Sequence, residues 1–142
     1  GDGREPYSAS GTCMSEPTWV PARAVHIIHD RQIARHGGAA GLRDEGLLEN
    51  ALQRPVNKWQ YEAAAVFECA AAYAFGIVKA HAFIDGNKRT GFVTSVTFLR
   101  LNGWHFATNA MQGVEFMEGL ASGHVPEDQF TAWLLDGSTE IT

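Results

Sequence analysis

Cysteine is nearly absent from this sequence, which has only Cys13 and Cys69 in 142 residues. Two thiols so far apart do not make the disulfide framework of a small secreted domain. Cys69 lies in an alanine-rich apolar stretch, where a free cysteine usually serves as a small hydrophobic side chain. This cysteine usage indicates a reducing compartment, and we expect the protein to act in the cytoplasm.

Long apolar runs and an excess of basic charge are also missing. No stretch approaches the ~20 apolar residues that span a bilayer, and the N-terminus lacks the apolar segment of a signal peptide. The chain has 11 Lys and Arg against 16 Asp and Glu, a formal net charge of −5. General nucleic-acid binding relies on a basic surface, so we expect neither a membrane nor a direct nucleic-acid partner.

The remaining composition is that of a folded domain, with 45% hydrophobic and 19% charged residues. Residues 1–13 are rich in Gly and Ser and have no apolar period, so we predict a leader or vector-derived tail that is disordered, with Met14 a plausible natural start. A native flexible tail is the alternative. Residues 14–142 are predicted to form a single domain.

Apolar residues recur at helical spacing through most of the chain, and no segment alternates convincingly like a strand. Pro21 suits a first helical turn, Asp44 suits an N-cap, and Pro55 is expected to end the helix that Asp44 begins. The stretch 62–79 is apolar on nearly every side, as in a helix at the centre of a bundle. We predict an all-α fold, a single compact bundle of about six helices. The predicted helices cover residues 21–36, 44–55, 62–79, 88–102, 108–122 and 126–137.

Three further polar or extended features carry weaker signals. His29 lies one residue away from the apolar stripe of the first helix and is expected to be a boundary polar residue rather than a ligand. Glu45 and Glu49 share one helix face, which favours a solvated surface over a metal or acid/base pair because no histidine is close in sequence. Residues 104–106 are expected to form a short extended turn.

The stretch with the most chemistry is residues 81–90, His-Ala-Phe-Ile-Asp-Gly-Asn-Lys-Arg-Thr, between two predicted helices. A helix N-terminus presents unpaired N–H groups and a positive dipole end, so it attracts anions. Lys88 and Arg89 add two charges there, and Gly86 allows the backbone to approach a phosphate. Asp85 is suited to hold Mg²⁺ beside that phosphate. His81 completes the set as a general base.

A polar connector between two helices is the simpler alternative for residues 81–90. Cations at a helix N-terminus oppose the dipole by roughly 0.3–1 kcal/mol each, so folding alone does not favour Lys88 and Arg89 at this position. That conflict points to a bound anion. Lys79, two residues before His81, is a further candidate for phosphate binding, with a surface lysine as its alternative.

Residues 81–90 resemble the signature of the Fic/Doc family, His-x-Phe-x-Asp/Glu-Gly-Asn. Fic adenylyltransferases continue with Gly-Arg-x-x-Arg and Doc toxins with Lys-Arg-Thr, and this chain has the Doc form at residues 88–90. Phe92 stands where Fic enzymes have their second arginine, whereas Gly86 is the residue that Fic enzymes share. The segments 34–49 and 98–103 are also similar to the family, and the resemblance covers about residues 17–136.

The resemblance implies the helical Fic/Doc fold and a bacterial cytoplasmic toxin. Such a toxin passes the γ-phosphate of ATP to a threonine of elongation factor Tu and halts translation. By position, His81 would be the base, Asp85 would bind Mg²⁺, and Lys88 and Arg89 would be catalytic and bind phosphate. Gly86 and Asn87 would shape the phosphate loop.

The resemblance also implies a small cognate antitoxin whose C-terminal helix lies in the active-site groove. We therefore expect poor expression of the active chain without it. Two other functions stay open. One is Fic-type transfer of AMP to a protein hydroxyl, and the other is a non-catalytic module that binds a nucleotide or phosphate for regulation.

Overall fold

The computed structural model describes residues 15–142, so the predicted leader and Met14 lie outside the described residues. In that range the chain forms six helices and a two-stranded ribbon, which confirms the predicted all-α class. The helices are α1 (Ala22–His36), α2 (Glu45–Glu62), α3 (Val66–Ala80), α4 (Asn87–Leu101), α5 (Ala110–Ser122) and α6 (Glu127–Asp136). The strands are β1 (Trp104–Phe106) and β2 (Ser138–Glu140).

Helix α3 is the centre of the bundle, as its apolar pattern predicted, and packs against α2, α4, α5 and α6. Its small side chains permit close approach: a Cβ added to Gly91 of α4 would lie 3.2 Å from the Ala74 carbonyl oxygen. This crossing fixes the start of α4 relative to the end of α3. Cys69 is fully buried here, and burial raises the pKa of its thiol to about 12, so it stays a neutral core residue.

The segment before α1 belongs to the core. Trp19 stacks on Phe98 with ring centroids 5.6 Å apart and meets Trp59 edge-on at 6.3 Å. The Asn102 side chain accepts from the Thr18 N–H at 2.8 Å and donates to the Thr18 carbonyl at 3.0 Å. These contacts attach the segment that leads into α1, at Thr18 and Trp19, to α4 and its C-terminal end.

The predicted end of the second helix at Pro55 is wrong, because α2 continues to Glu62. Proline removes the bond to the carbonyl four residues earlier, that of Ala51. This carbonyl faces Gly76 of α3, which has no Cβ to meet it. Packing of the last turn, where Trp59 contacts Trp19, outweighs the local preference.

The predicted start of the central helix at residue 62 is also wrong. Ala63 adopts a left-handed conformation at φ 52°, and α3 begins only at Val66. The Glu68 carboxylate accepts from the Ala65 N–H at 2.9 Å and caps this new start. The two predicted helices are therefore both present, but the turn between them lies at residues 63–65 rather than at residues 56–61.

The extended turn predicted at residues 104–106 is β1, and its partner β2 was not predicted. The strands are antiparallel, with Trp104 opposite Glu140 and Phe106 opposite Ser138. Asn109 caps α5 by accepting from the Gln112 N–H at 2.7 Å. No helix within residues 15–142 is long and apolar enough to cross a membrane.

Candidate active site

The turn between α3 and α4, residues 81–86, is the motif loop. His81 ends α3 in a left-handed conformation at φ 48°, and Gly86 precedes α4 at φ 78°. Glycine adopts that conformation without the steric cost that a Cβ brings. The motif loop therefore reverses the chain sharply and brings the end of one helix beside the start of the next.

The Asn87 side chain closes this turn from inside. Its Oδ1 accepts from the Phe83 N–H at 3.1 Å, and its Nδ2 donates to the Phe83 carbonyl at 2.9 Å. Asn87 is 8% exposed, so its amide is committed to the backbone of the loop. Shaping of the loop is what this side chain does, and any contact with phosphate would come from its backbone N–H.

A second segment, the 37–44 loop between α1 and α2, runs beside the motif loop. The Ile84 N–H donates to the Gly41 carbonyl at 3.1 Å, and the Arg43 N–H donates to the Ala82 carbonyl at 2.7 Å. Leu42 and Phe83 form an antiparallel bridge. The motif loop is thus held by backbone bonds on its outer side, while His81 stays exposed.

Asp85 accepts two backbone hydrogen bonds at the tip of the motif loop. Its Oδ1 lies 2.8 Å from the Gly86 nitrogen, and its Oδ2 lies 3.2 Å from the Ala39 nitrogen. These N–H groups, that of Gly86 first, hold the pKa of the Asp85 carboxyl below its ordinary value of 3.8. Asp85 is therefore an anion at neutral pH and suits a hard cation.

The start of α4 has the features of an anion site in its own right. The Thr90 N–H is the first to bond back, to the Gly86 carbonyl, so the three N–H groups before it precede the helical ladder. No side chain caps this end, and no acidic residue lies in the first turn. Lys88 and Arg89 lie there instead, and Lys88 pairs with Glu118 of α5 at 3.0 Å.

A groove of about 1050 Å³ contains all these groups. One end is polar, where the motif loop and the start of α4 meet the end of α1. The other end is mainly apolar, between α4 and α5. Three Lys or Arg side chains and two carboxylates line the groove, although the chain has a net charge of −5. The charged lining residues are Arg35, Lys88, Arg89, Asp85 and Glu118.

The sequence model of the Fic/DOC family matches residues 19–99, more than half of the chain. The chain belongs to the Fic/DOC family. "Protein kinase doc" of Escherichia phage P1 is 38% identical over 77 residues, 54% of this chain and 61% of that protein. "Toxin Doc" of Mycolicibacterium smegmatis is 37% identical over 75 residues, 51% of this chain and 58% of that protein. The chain thus spans about six tenths of the length of these relatives.

Most of the residues predicted for the site meet in the groove of this Fic/DOC protein. His81 and residues 85–89 all line it, and they come from one turn and the helix that follows. Lys79 does not: its ammonium donates to the Ala121 carbonyl at 3.0 Å, at the end of α5. Phosphate binding by Lys79 stays a prediction that this geometry does not favour.

His29 is a site-forming residue that the sequence analysis missed. It is 2% exposed, not at a boundary, and its Nε2 lies 2.7 Å from the Asp85 carbonyl oxygen. Its ring stacks on Phe83 with centroids 3.8 Å apart. The only signal in the sequence was its position beside an apolar stripe, which surface and buried histidines share.

Proposed function

We propose that this chain is a bacterial toxin that transfers the γ-phosphate of ATP to a threonine hydroxyl of a translation factor such as elongation factor Tu. One observation carries the proposal: His81 and the uncapped, cationic start of α4 line the same groove, joined by one short turn. The names of the two relatives, a protein kinase and a toxin, support it.

His81 acts as the general base in this reaction. Its side chain is exposed to the groove, so a hydroxyl on another protein can reach it. The imidazole takes the proton of the threonine hydroxyl as its oxygen attacks the γ-phosphorus. A new phosphorus–oxygen bond forms, the bond to the β-phosphate oxygen breaks, and ADP leaves with the electron pair.

The start of α4 neutralises the charge of the transferred group. Lys88 and Arg89 supply two positive charges, and the N–H groups of the first turn supply aligned dipoles. Phosphoryl transfer depends mainly on positioning and charge neutralisation, so a small site of this kind is sufficient. Gly86 adopts the positive φ of 78° that turns the chain from His81 into this helix start.

The donor set around Asp85 fits Mg²⁺ bound together with a nucleotide. Within residues 15–142 no group of three or more His, Cys, Asp and Glu is placed to hold a metal ion. Mg²⁺ usually takes one or two carboxylates, several waters and substrate phosphates, which a single Asp85 beside the phosphate site can satisfy. When bound, the ion neutralises phosphate charge.

The apolar end of the groove is suited to an inhibitory antitoxin helix. Exposed Val114 lies on α5, and half-buried Val93 and Val96 face the groove from α4. An amphipathic helix can bury its apolar face between two such helices. We propose that a small cognate antitoxin binds there in the bacterial cytoplasm and that the active chain is poorly expressed without it.

Transfer of AMP is the second candidate, since Gly86 is the residue that Fic enzymes have at this position of the motif. Fic-type transfer of AMP would need a second arginine at the position of Phe92. The Phe92 ring instead packs between the rings of Phe106 and Trp133, with centroid distances of 6.1 and 6.2 Å. Position 92 therefore supplies no guanidinium to bind a diphosphate. Phosphorylation is therefore the reaction we favour.

The deciding experiment uses ATP labelled at either the α- or the γ-phosphate, with Mg²⁺, purified chain and elongation factor Tu. We expect label from γ alone on the threonine. Label from α would establish adenylylation instead. No transfer of either label, with ATP still bound, would favour a non-catalytic nucleotide-binding module.

Two variants separate catalysis from binding in the same assay. His81→Ala should abolish transfer and toxicity while ATP binding stays largely intact. Lys88→Ala together with Arg89→Ala should lose both binding and transfer. A His81→Ala chain that is still toxic would contradict the enzymatic proposal.

A further inference from the structure

His29 forms a single, well-defined hydrogen bond with the motif loop. Because a carbonyl oxygen only accepts, the Nε2 of His29 must donate to the Asp85 oxygen 2.7 Å away. The ring is 2% exposed, so water does not compete for this bond. A buried donor without a partner would be costly, and the bond is therefore a firm constraint on the loop.

The surroundings hold the His29 ring in one orientation. It lies parallel to Phe83, with an angle of 10° between the rings and 3.8 Å between centroids. A Cβ added to Gly86 would lie 3.6 Å from the ring, so the turn packs directly on it. The donor nitrogen cannot rotate away without breaking this packing.

The bond to Asp85 determines which way the next N–H points. In a trans peptide the carbonyl and the N–H point in opposite directions. Because the Asp85 carbonyl points at α1, the Gly86 N–H points away from α1. It meets the Asp85 Oδ1 at 2.8 Å, and both residues line the groove.

We propose that His29 is a positioning residue, whose Nε2–H fixes the Asp85–Gly86 peptide so that the Gly86 N–H holds the Asp85 carboxylate and the start of α4 faces the phosphate of a bound nucleotide. The proposal rests on the proposed function, since it assumes that this groove binds a nucleotide. It assigns His29 no contact with the substrate. His29 acts only by fixing the orientation of the Asp85–Gly86 peptide.

Packing against Phe83 alone would also explain a buried ring, and a pair of variants separates the two roles. His29→Phe keeps an aromatic ring but has no donor, whereas His29→Gln supplies an amide donor without the ring. His26→Phe is the matched control, because His26 also contacts the Phe83 ring, at 5.6 Å, but bonds to Glu45. His29→Leu replaces His29→Phe if the latter does not fold.

The first measurement needs no nucleotide: amide hydrogen exchange of Gly86 by NMR. We expect faster exchange in His29→Phe and wild-type exchange in His29→Gln and His26→Phe. The second is the affinity for Mg²⁺–ATP by calorimetry, with an expected loss of about five- to tenfold in His29→Phe alone. Folding of each variant is checked by its melting temperature.

The outcomes distinguish this proposal from the proposed function. If wild-type chain binds no ATP, the proposed function fails, while Gly86 exchange still decides whether His29 sets the peptide. If Gly86 exchange and ATP affinity are unchanged in His29→Phe, the positioning role is wrong. Equal losses in His29→Phe and His29→Gln would assign the effect to packing and would also overturn it.

Discussion

The guanidinium of Arg43 donates from Nε to the His81 carbonyl oxygen at 2.8 Å and from Nη2 to the Ala80 carbonyl at 3.4 Å. The last carbonyls of a helix have no partner within the helix. Arg43, from the 37–44 loop, satisfies two of them at the end of α3. It holds the residue that turns left-handed and carries the imidazole.

We expect Arg43→Met to slow phosphate transfer about tenfold with little change in ATP affinity, because a misplaced base loses its reacting geometry. The measurement is single-turnover transfer to elongation factor Tu at saturating ATP. Arg31→Met is the control, since Arg31 is exposed on α1 and does not line the groove. An equal effect of both substitutions would contradict the positioning of His81 by Arg43.

Which groups meet in the groove could be predicted from the sequence, because they lie within one ten-residue stretch. Spacing places His81, Asp85 and Lys88 on one turn and one helix start without any knowledge of the fold. Arg43 and His29 could not be predicted, because their partners in the motif loop are far away in sequence. Arg43 lies 38 residues from His81, and His29 lies 56 residues from Asp85. Only tertiary packing brings such residues to the motif loop.

Gly38→Ala should raise the pKa of Asp85 toward 3.8. A Cβ at Gly38 would lie 2.6 Å from the Asp85 Oδ2 and must displace the carboxylate or the Ala39 N–H that it accepts. NMR titration of the Asp85 carboxyl measures the shift. Gly37→Ala is the control. Like Gly38, Gly37 has a positive φ that disfavours alanine, here 81°, but a Cβ added to Gly37 would have no neighbour within 4 Å.

The same depressed pKa has a consequence for stability at acid pH. Because the folded-state pKa of Asp85 lies below that of the unfolded chain, its contribution is complete above about pH 3.8 and is lost as the pH falls through the folded-state value. The difference in melting temperature between wild type and Asp85→Asn should therefore shrink at acid pH. A difference that grows on acidification would contradict the assignment.

Glu127→Gln should destabilise the fold by about 1–3 kcal/mol, since it breaks an ion pair that joins α2 to α6. Glu127 is 18% exposed and pairs with Arg54 and, at 3.6 Å, with Lys58. Glu62→Gln is the control, because Glu62 is 64% exposed and meets Lys58 only at 4.0 Å, so a change below ~0.5 kcal/mol is expected. Urea unfolding measures both, and equal effects would contradict the role of burial.

The limits of prediction for the fold lie where packing outweighs local preference. Propensity alone predicts that the second helix ends at Pro55, yet packing in the bundle extends α2 to Glu62. Ala63 breaks a helical pattern although alanine favours helices, because the chain must turn from α2 into α3. Strand β2 follows a helix and is short, so nothing in its three residues indicated a partner at β1.

Gly76→Ala should destabilise the bundle, although alanine is the better helix former. The added Cβ would lie 3.0 Å from the Ala51 carbonyl oxygen in a buried helix contact. Overpacking costs about 1–3 kcal/mol, and because the contact is with a backbone carbonyl that cannot move aside, we expect this cost to exceed the ~1 kcal/mol gained in helix propensity. Gly113→Ala is the control, as its nearest neighbour would be 3.8 Å away, and thermal unfolding should show it unchanged or stabilised.

Glu118→Gln should strengthen the binding of Mg²⁺–ATP about two- to fivefold. The Lys88 ammonium lies 3.0 Å from the Glu118 carboxylate, so a phosphate that binds Lys88 must compete with that carboxylate. Both side chains are about half exposed, which limits the energy of the pair and hence the gain.

Calorimetry at two ionic strengths measures this gain. The gain in affinity should be smaller at high salt, because solvent-exposed charges are screened. Glu115→Gln is the matched control: it removes the same charge from α5, but Glu115 does not line the groove. Equal gains in both variants would mean that only the net charge of α5 matters, and weaker binding in Glu118→Gln would mean that Glu118 orients Lys88 toward the phosphate.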